Sequence, residues 1–387
     1  MPPSGLSTTS LRSVTVTESV PSLAALEREA RGVQAAAHQL HLRFLDELVR
    51  VDSNSSQLVA ELADYFSEFC APPAPPTISV TALDAPVPSA LAELPYSVVV
   101  RTEPGKRAKE AFVDLDQGRV IHKVRTDMVF LCGPSTNLAI GPAVQNVNQI
   151  VNFINTRLLD RQLDAGGLLG HCSAVLVNGR ALVFAGVPGA GKSTLALELM
   201  RRDDVQFLSN DRVTFHPHAS GVDVVGVPKH PRINPGTALA NDKLRRVMST
   251  DDIARFSAMS RDELWPLEHK YDALIDRCFG PGRFVLKAPV AAVFVLAWSH
   301  RDLASSARCR RISLAEDPAA LAAIMKSPGP FRLGPMVPLA SQEPEYRTKL
   351  APVPVYRIDG AVDFAAGCDW ALSVARGEEP AGSEQPS

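Results

Sequence analysis

The chain has 387 residues, 45% of them hydrophobic, enough for more than one core. Forty Lys+Arg stand against forty-two Asp+Glu, so no overall field favours nucleic acid or an anionic membrane surface. The longest apolar runs, such as Ala291 to Trp298, fall far short of the roughly 20 residues that cross a bilayer, and six scattered cysteines without a CxxC pair argue against zinc or a disulfide scaffold and fit the cytoplasm.

Residues 1–24 are rich in Ser, Thr and Pro without periodicity, and residues 377–387 (GEEPAGSEQPS) are similar, so both ends are predicted to be disordered. The opening MPPSGLSTTSLRS lacks the charged head and apolar run of a secretion signal. Residues 25–135 read as a small α+β module. In "LHLRF", Leu40, Leu42 and Phe44 alternate with His41 and Arg43, and "LVRVDS" keeps the same period of two, which predicts a hairpin. "DSNSS" offers N-caps for a helix carrying Leu58, Leu62, Phe66 and Phe69. "APPAPP" ends it and leads to short strands near 78–80, 97–101 and 119–124.

Residues 136–376 form the second block. A helix over about 143–163 carries Val144, Val147, Val151, Ile154 and Leu158 on one stripe. Asn148, Asn152 and Asn155 lie on a second stripe, read as a solvated or interdomain face. "SAVLVNGRALVFAG" then places Asn178-Gly179 between two apolar strands, the dipeptide a type I′ turn prefers.

The second of those strands runs into Gly186-Val-Pro-Gly189-Ala190-Gly191-Lys192-Ser193-Thr194, a full match to the Walker A pattern GxxxxGK[ST]. Such glycines let backbone amides converge on phosphate oxygens, and the following helix adds its positive end. Lys192 then reaches the outer phosphates of ATP, and the Ser193 hydroxyl can ligate Mg²⁺. In "DVQFLSNDRVTF", Asp211 falls near the carboxyl end of a short strand, where it can hold Mg²⁺ or take a hydroxyl proton. A turn aspartate paired with Arg212 is the plainer alternative.

His171, the Asn-Gly hairpin, the P-loop and Asn210-Asp211 together resemble the catalytic domain of bacterial HPr kinase/phosphorylase, over about residues 165–300. "EAFVDL", "NQIVNFIN", "GVPKHPRINPGT" and "LEHKYDALIDRCFGPGRF" are similar to the group called HprK-related kinase B, over about 110–300. The resemblance implies a phosphoenolpyruvate-carboxykinase-like P-loop fold and phosphorylation of a hydroxyl acceptor, serine of a protein or peptide. It assigns nucleotide binding to Gly186, Gly189, Ala190, Gly191, Lys192, Ser193 and Thr194, and Mg²⁺ to Ser193 and Asp211. It makes Asp211 the general base and His171 the histidine beside the transferred phosphate. Asn210 stands where that family has its first aspartate. The family's N-terminal half is not recognisable, so its hexamer is not carried over and a homo-oligomer stays open.

Two basic loops are further candidates. "VPKHPRINPG" sets Lys229, His230 and Arg232 between prolines, a potential clamp for phosphate or an acidic acceptor. "DRCFGPGRF" places Arg283 after Pro-Gly, a catalytic candidate because arginine stabilises a transferring phosphoryl group. "LEHKYD" (Glu268, His269, Lys270, Asp272) lacks zinc-helix spacing and reads as a polar segment. Two other functions fit the same motifs: an ATP-binding switch or assembly factor, and a kinase of a small molecule such as free serine. No nucleic acid or membrane partner is predicted.

Overall fold

The computed structural model describes residues 21–100, 108–264, 267, 269–299, 302, 305–335 and 337–380. The disorder expected for residues 1–20 and 381–387, and Glu268 of "LEHKYD", lie outside them. Among the described residues no helix is long and apolar enough to cross a membrane.

The chain is mixed α/β, with two large sheets. The first contains β1 (His38–Phe44), β2 (Glu47–Ser53), β3 (Ile78–Asp84), β4 (Val98–Val100), β5 (Glu110–Leu115), β6 (Gly118–Lys123), β7 (Met128–Cys132) and β8 (Asn137–Gly141), in the order 1-2-3-8-7-6-5-4. The β1–β2 hairpin pairs Leu42 with Val49, and the alternation in "LHLRF" buries Leu40, Leu42 and Phe44. The turn is closed by Leu45 at φ 55°, a left-handed conformation that a leucine rarely adopts. β3 runs parallel to both β2 and β8.

Helix α1 (Leu23–Val33) covers one face of this sheet through Leu23, Leu26 and Ala30, with Ser22 as its N-cap. It therefore begins inside the stretch expected to be disordered, because its apolar positions fit the face formed by Val113, Val120, Val129 and Leu131. Helix α2 (Ser56–Tyr65) lies on the other face, capped by Ser55, which accepts from Leu58 N at 3.2 Å. After the single turn α3 (Ser89–Ala92) comes α4 (Val147–Asp164), which buries Ile150, Val151, Phe153, Ile154 and Leu158. The asparagine stripe is not a solvated face along its whole length. Asn155 is buried, and neither polar atom of its side chain has a hydrogen-bond partner.

The second sheet comprises β9 (Leu168–Gly170), β10 (Cys172–Val177), β11 (Arg180–Gly186), β12 (Gln206–Ser209), β13 (Val213–His218) and β14 (Gly221–Gly226). A small ladder of β15 (Arg232–Ile233) and β16 (Tyr271–Asp272) interrupts it before β17 (Lys287–Leu296), β18 (Arg308–Ile312) and β19 (Val355–Asp359). β10 and β11 turn at Asn178 (φ 49°) and Gly179 (φ 76°), both left-handed as a type I′ turn requires. β11, β17 and β19 run parallel, and β10 runs against both β11 and β12. The start of β10 and the ends of β11 and β12 thus meet at one edge. Helix α5 (Lys192–Leu199) leaves from that edge.

One apolar core runs through both sheets, joining Val80, Ile154 and Phe130 to Phe184, Leu195 and Phe294. Polar ties cross the same boundary: the Tyr65 hydroxyl accepts from His230 N at 3.0 Å, and Glu68 Oε1 accepts from Gly282 N at 2.6 Å. All six cysteines are unpaired thiols, four of them buried.

Candidate functional site

The loop between β11 and α5 depends on its glycines. Gly186, Gly189 and Gly191 sit at φ 151°, 84° and 87°, where a side chain would be strained. At Gly191 a Cβ would also lie 2.9 Å from the Phe364 ring. Trp298 steadies the loop from behind, its indole N–H donating to Ala190 O at 2.7 Å. Lys192 is 8% exposed and folds back over the loop, donating to the carbonyls of Gly186 (2.7 Å) and Val187 (3.2 Å). Burial lowers its pKa, against the opposing pull of Cys172 and Asp211. The Thr194 hydroxyl lies 3.4 Å from the Thr237 hydroxyl.

Asn210 and Asp211 follow β12 directly. The Asn210 amide oxygen accepts from two hydroxyls, Ser193 at 2.5 Å and Ser173 at 3.0 Å, which ties the start of α5 to β10. Asp211 has φ 73°, and of the non-glycine residues Asp and Asn tolerate that conformation best. Its backbone turn aims the carboxylate at the start of β10, where His171 Nδ1 lies 3.1 Å from Oδ1.

Lys326 completes this group. Its ammonium lies 2.9 Å from Asp211 Oδ1, 2.9 Å from His171 Nδ1 and 3.2 Å from Asp211 O. It arrives there because residues 324–326, after the helix Pro318–Ile324, pair with the end of β9. His171 N donates to Ile324 O at 2.7 Å, and Lys326 N donates to Leu169 O at 3.1 Å. Burial would raise the pKa of Asp211, but His171, Lys326 and Lys229 outweigh it and hold the carboxyl well below the usual range. Lys229 feels the same site from the other side: burial pulls its pKa down to about 8, with Asp211 opposing.

The structure thus brings Lys192, Ser193, Asn210, Asp211 and His171 to one sheet edge. Arg283 is elsewhere, and its expected catalytic position needs correcting. Its guanidinium donates to Val205 O (2.7 Å), Arg202 O (2.6 Å), Met200 O (3.2 Å) and Phe279 O (3.2 Å). These carbonyls surround the C-terminal end of α5, about 12 Å of helix from Ser193. The clamp read in "VPKHPRINPG" also divides. His230 is buried, its Nδ1 accepting from Ile275 N at 3.0 Å and its Nε2 lying 3.0 Å from Tyr65 O, so it ties α2 to the second sheet. Arg232 pairs with Asp272 at 3.3 Å, and Lys229 interacts electrostatically with Asp211.

Among the described residues no group of three or more His, Cys, Asp or Glu could hold a metal ion. The side-chain oxygen donors at the edge include the Ser193 and Ser173 hydroxyls, the Asn210 amide and one carboxylate, Asp211. A cleft of about 450 Å³ is lined by Lys326 together with Leu163, Leu168, Ser327, Arg332, Glu345 and Tyr346 among others, and it shares only Lys326 with the cluster.

The chain matches no family model and no curated protein. Among solved structures it is similar to the Hpr(Ser) kinase/phosphatase from Coxiella burnetii, at 10% identity and a TM-score of 0.27, over 54% of this chain and 91% of that one. Likeness at that level leaves the functional reading to the residues themselves.

Proposed function

We propose that the chain is an ATP-dependent kinase that passes the γ-phosphoryl group to a hydroxyl acceptor, serine of a protein or peptide, within a carboxykinase-like P-loop fold. One observation carries this reading. A complete GxxxxGK[ST] loop at a strand–helix junction meets an aspartate and a histidine, Asp211 and His171, at the same sheet edge. The loop from Gly186 to Thr194 surrounds the phosphates, and Lys192 exchanges the carbonyls of Gly186 and Val187 for phosphate oxygens. An ammonium held by two carbonyls of its own loop is already placed for that exchange.

Asp211 is the base. With its carboxyl held so low, it takes the acceptor proton late, when the oxygen has already begun to bond to phosphorus. Phosphoryl transfer tolerates this, because its transition state is loose and needs positioning more than deprotonation. His171 lies beside Asp211 and orients its carboxylate. Mg²⁺ fits as an ion brought with the nucleotide: Ser193, Asn210 and Asp211 supply oxygen donors, but only one carries charge. Bound there, it would neutralise phosphate charge.

The engagement of Asp211 by Lys326 favours a second reading, an ATP-binding switch, since a paired carboxylate is a poor base until its partner leaves. One experiment separates the two. The pure protein is incubated with γ-labelled ATP and a lysate of its own organism, and free serine is tested alongside. Label on a protein supports the main reading, and label on free serine moves the acceptor to a small molecule. ATP hydrolysis without any labelled acceptor replaces the kinase with the switch.

A further inference from the structure

We propose that Lys326 is the side chain that distinguishes a bound nucleoside triphosphate from the diphosphate: its ammonium leaves the Asp211 carboxylate and takes the terminal phosphate. This rests on the nucleotide-binding reading above and adds to it a residue well outside the Walker motif.

Position is the first argument. Lys192 leans on the carbonyls of Gly186 and Val187 at the start of α5, so it and the first turn of that helix serve the phosphates that the loop encloses. Lys326 stands across β10 from the loop, beside the aspartate that follows β12 and that serves as base in the reading above. Its backbone is fixed by the hydrogen bonds of residues 324–326 to Leu169 and His171. The side chain can therefore change partner without the chain moving.

Charge is the second argument. Lys192, Lys229 and Lys326 all interact with Asp211, and Lys326 repels the other two. Three ammonium groups around one carboxylate leave the edge positive in a half-buried setting, which a polyanion relieves. A diphosphate seated in the loop reaches Lys192; the extra phosphate of a triphosphate brings the charge that draws Lys326 across. Asp211 then loses its strongest cation at the moment a triphosphate arrives, so the base is released only when there is a phosphoryl group to transfer. His171, 3.1 Å away, stays with the carboxylate.

The test is a calorimetric titration of ADP and of a non-hydrolysable ATP analogue into the parent, Lys326→Met and Lys326→Arg, each checked by thermal melting. Lys326→Met is expected to weaken the ATP analogue roughly 10-fold or more, the usual scale for a lost charged hydrogen bond, and ADP by less than about 2-fold, with Lys326→Arg close to the parent. Equal losses for both nucleotides, or none, overturn the proposal. A parent that binds neither nucleotide overturns the nucleotide reading itself, and this inference with it. Should Lys326→Met fail to fold, acetylation of Lys326 in the parent is followed by mass spectrometry. Protection by the ATP analogue beyond that by ADP supports the assignment, and equal protection overturns it.

Discussion

The two ends of α5 are both ringed by basic side chains, yet they use them in opposite ways. At the C-terminal end Arg283 gives its donors to the carbonyls of Met200, Arg202 and Val205, and Lys243 donates to Arg201 O at 3.0 Å. The carbonyls there lie at and just past the helix end, and a cation at that end also suits the helix dipole. At the N-terminal end Lys192, Lys229 and Lys326 share one carboxylate, at the helix end that repels cations. A basic residue whose donors are satisfied by backbone carbonyls belongs to the fold. Basic residues gathered where the helix dipole disfavours them are the ones we propose to serve a ligand.

Breaking the N-terminal end at its carboxylate has the largest expected effect. Asp211→Asn keeps the left-handed backbone, since asparagine tolerates φ 73° as well as aspartate does. Phosphoryl transfer is expected to fall roughly 100-fold or more, with the affinity for ATP in the absence of Mg²⁺ unchanged or higher because a charge facing the phosphates is gone. Single-turnover transfer and calorimetry read the two quantities separately. Transfer at the parent rate would make Asp211 a structural residue and leave the switch as the better reading.

Removing a cation from the same end comes next. Lys192→Ala is expected to cost about 100-fold in ATP affinity, the upper range for charged hydrogen bonds. An unaltered titration would sink the assignment of the loop to phosphate. The matching change at the other end, Arg283→Ala, is expected to leave ATP affinity per folded molecule within about 2-fold and to lower stability by roughly 2 kcal/mol, because several carbonyls lose their donor together. Denaturant unfolding measures that loss. If Arg283→Ala instead abolished transfer at unchanged stability, the contrast between the two ends would be mistaken.

These residues also show what a sequence can and cannot tell. Asn178-Gly179 and the alternation in "LHLRF" are legible because the physics is local: a turn needs left-handed residues, and a half-buried strand needs a period of two. Asp211 can be placed from the order of elements, since strand ends define a sheet edge, whereas His171 is singled out only by the resemblance to HPr kinase/phosphorylase. Lys326 is reached by neither route. It lies 115 residues from Asp211 and reaches it through a short antiparallel contact between Gly170 and Met325 that no pattern announces. A lysine between a helix end and Ser-Pro-Gly-Pro was the only signal. Arg283 misleads for a related reason, because a stiff Pro-Gly-Arg loop looks the same whether it faces phosphate or the carbonyls of a helix end. Asn155 divides the reading of its stripe: the helical spacing leaves a solvated or an interdomain face open, and the packing of α4 against both sheets buries Asn155 rather than solvating it.

The smallest expected effect, and the one that sharpens the contrast most, concerns Lys229 and pH. Burial sets its folded pKa at about 8, below the roughly 10.4 of an unfolded lysine. Between those values the folded chain holds fewer protons than the unfolded one, so this residue makes the ligand-free protein more stable as pH rises from 8 toward 10, by no more than about 1–2 kcal/mol at a half-buried site. Below 8 both states are protonated and the cost of burying the charge is present in full. Nucleotide binding follows the opposite sign. Phosphates favour the charged ammonium, so ATP affinity is expected to fall above pH 8, by up to about tenfold at pH 9, as the free protein gives up the proton that the complex must regain. Denaturant unfolding and calorimetry across pH 7–10, compared between the parent and Lys229→Met, isolate the residue from other titrating groups. The variant should lose both slopes at once. If Lys229→Met keeps the affinity slope while losing the stability slope, Lys229 is only a buried cation near Asp211, and phosphate recognition rests on Lys192 and Lys326.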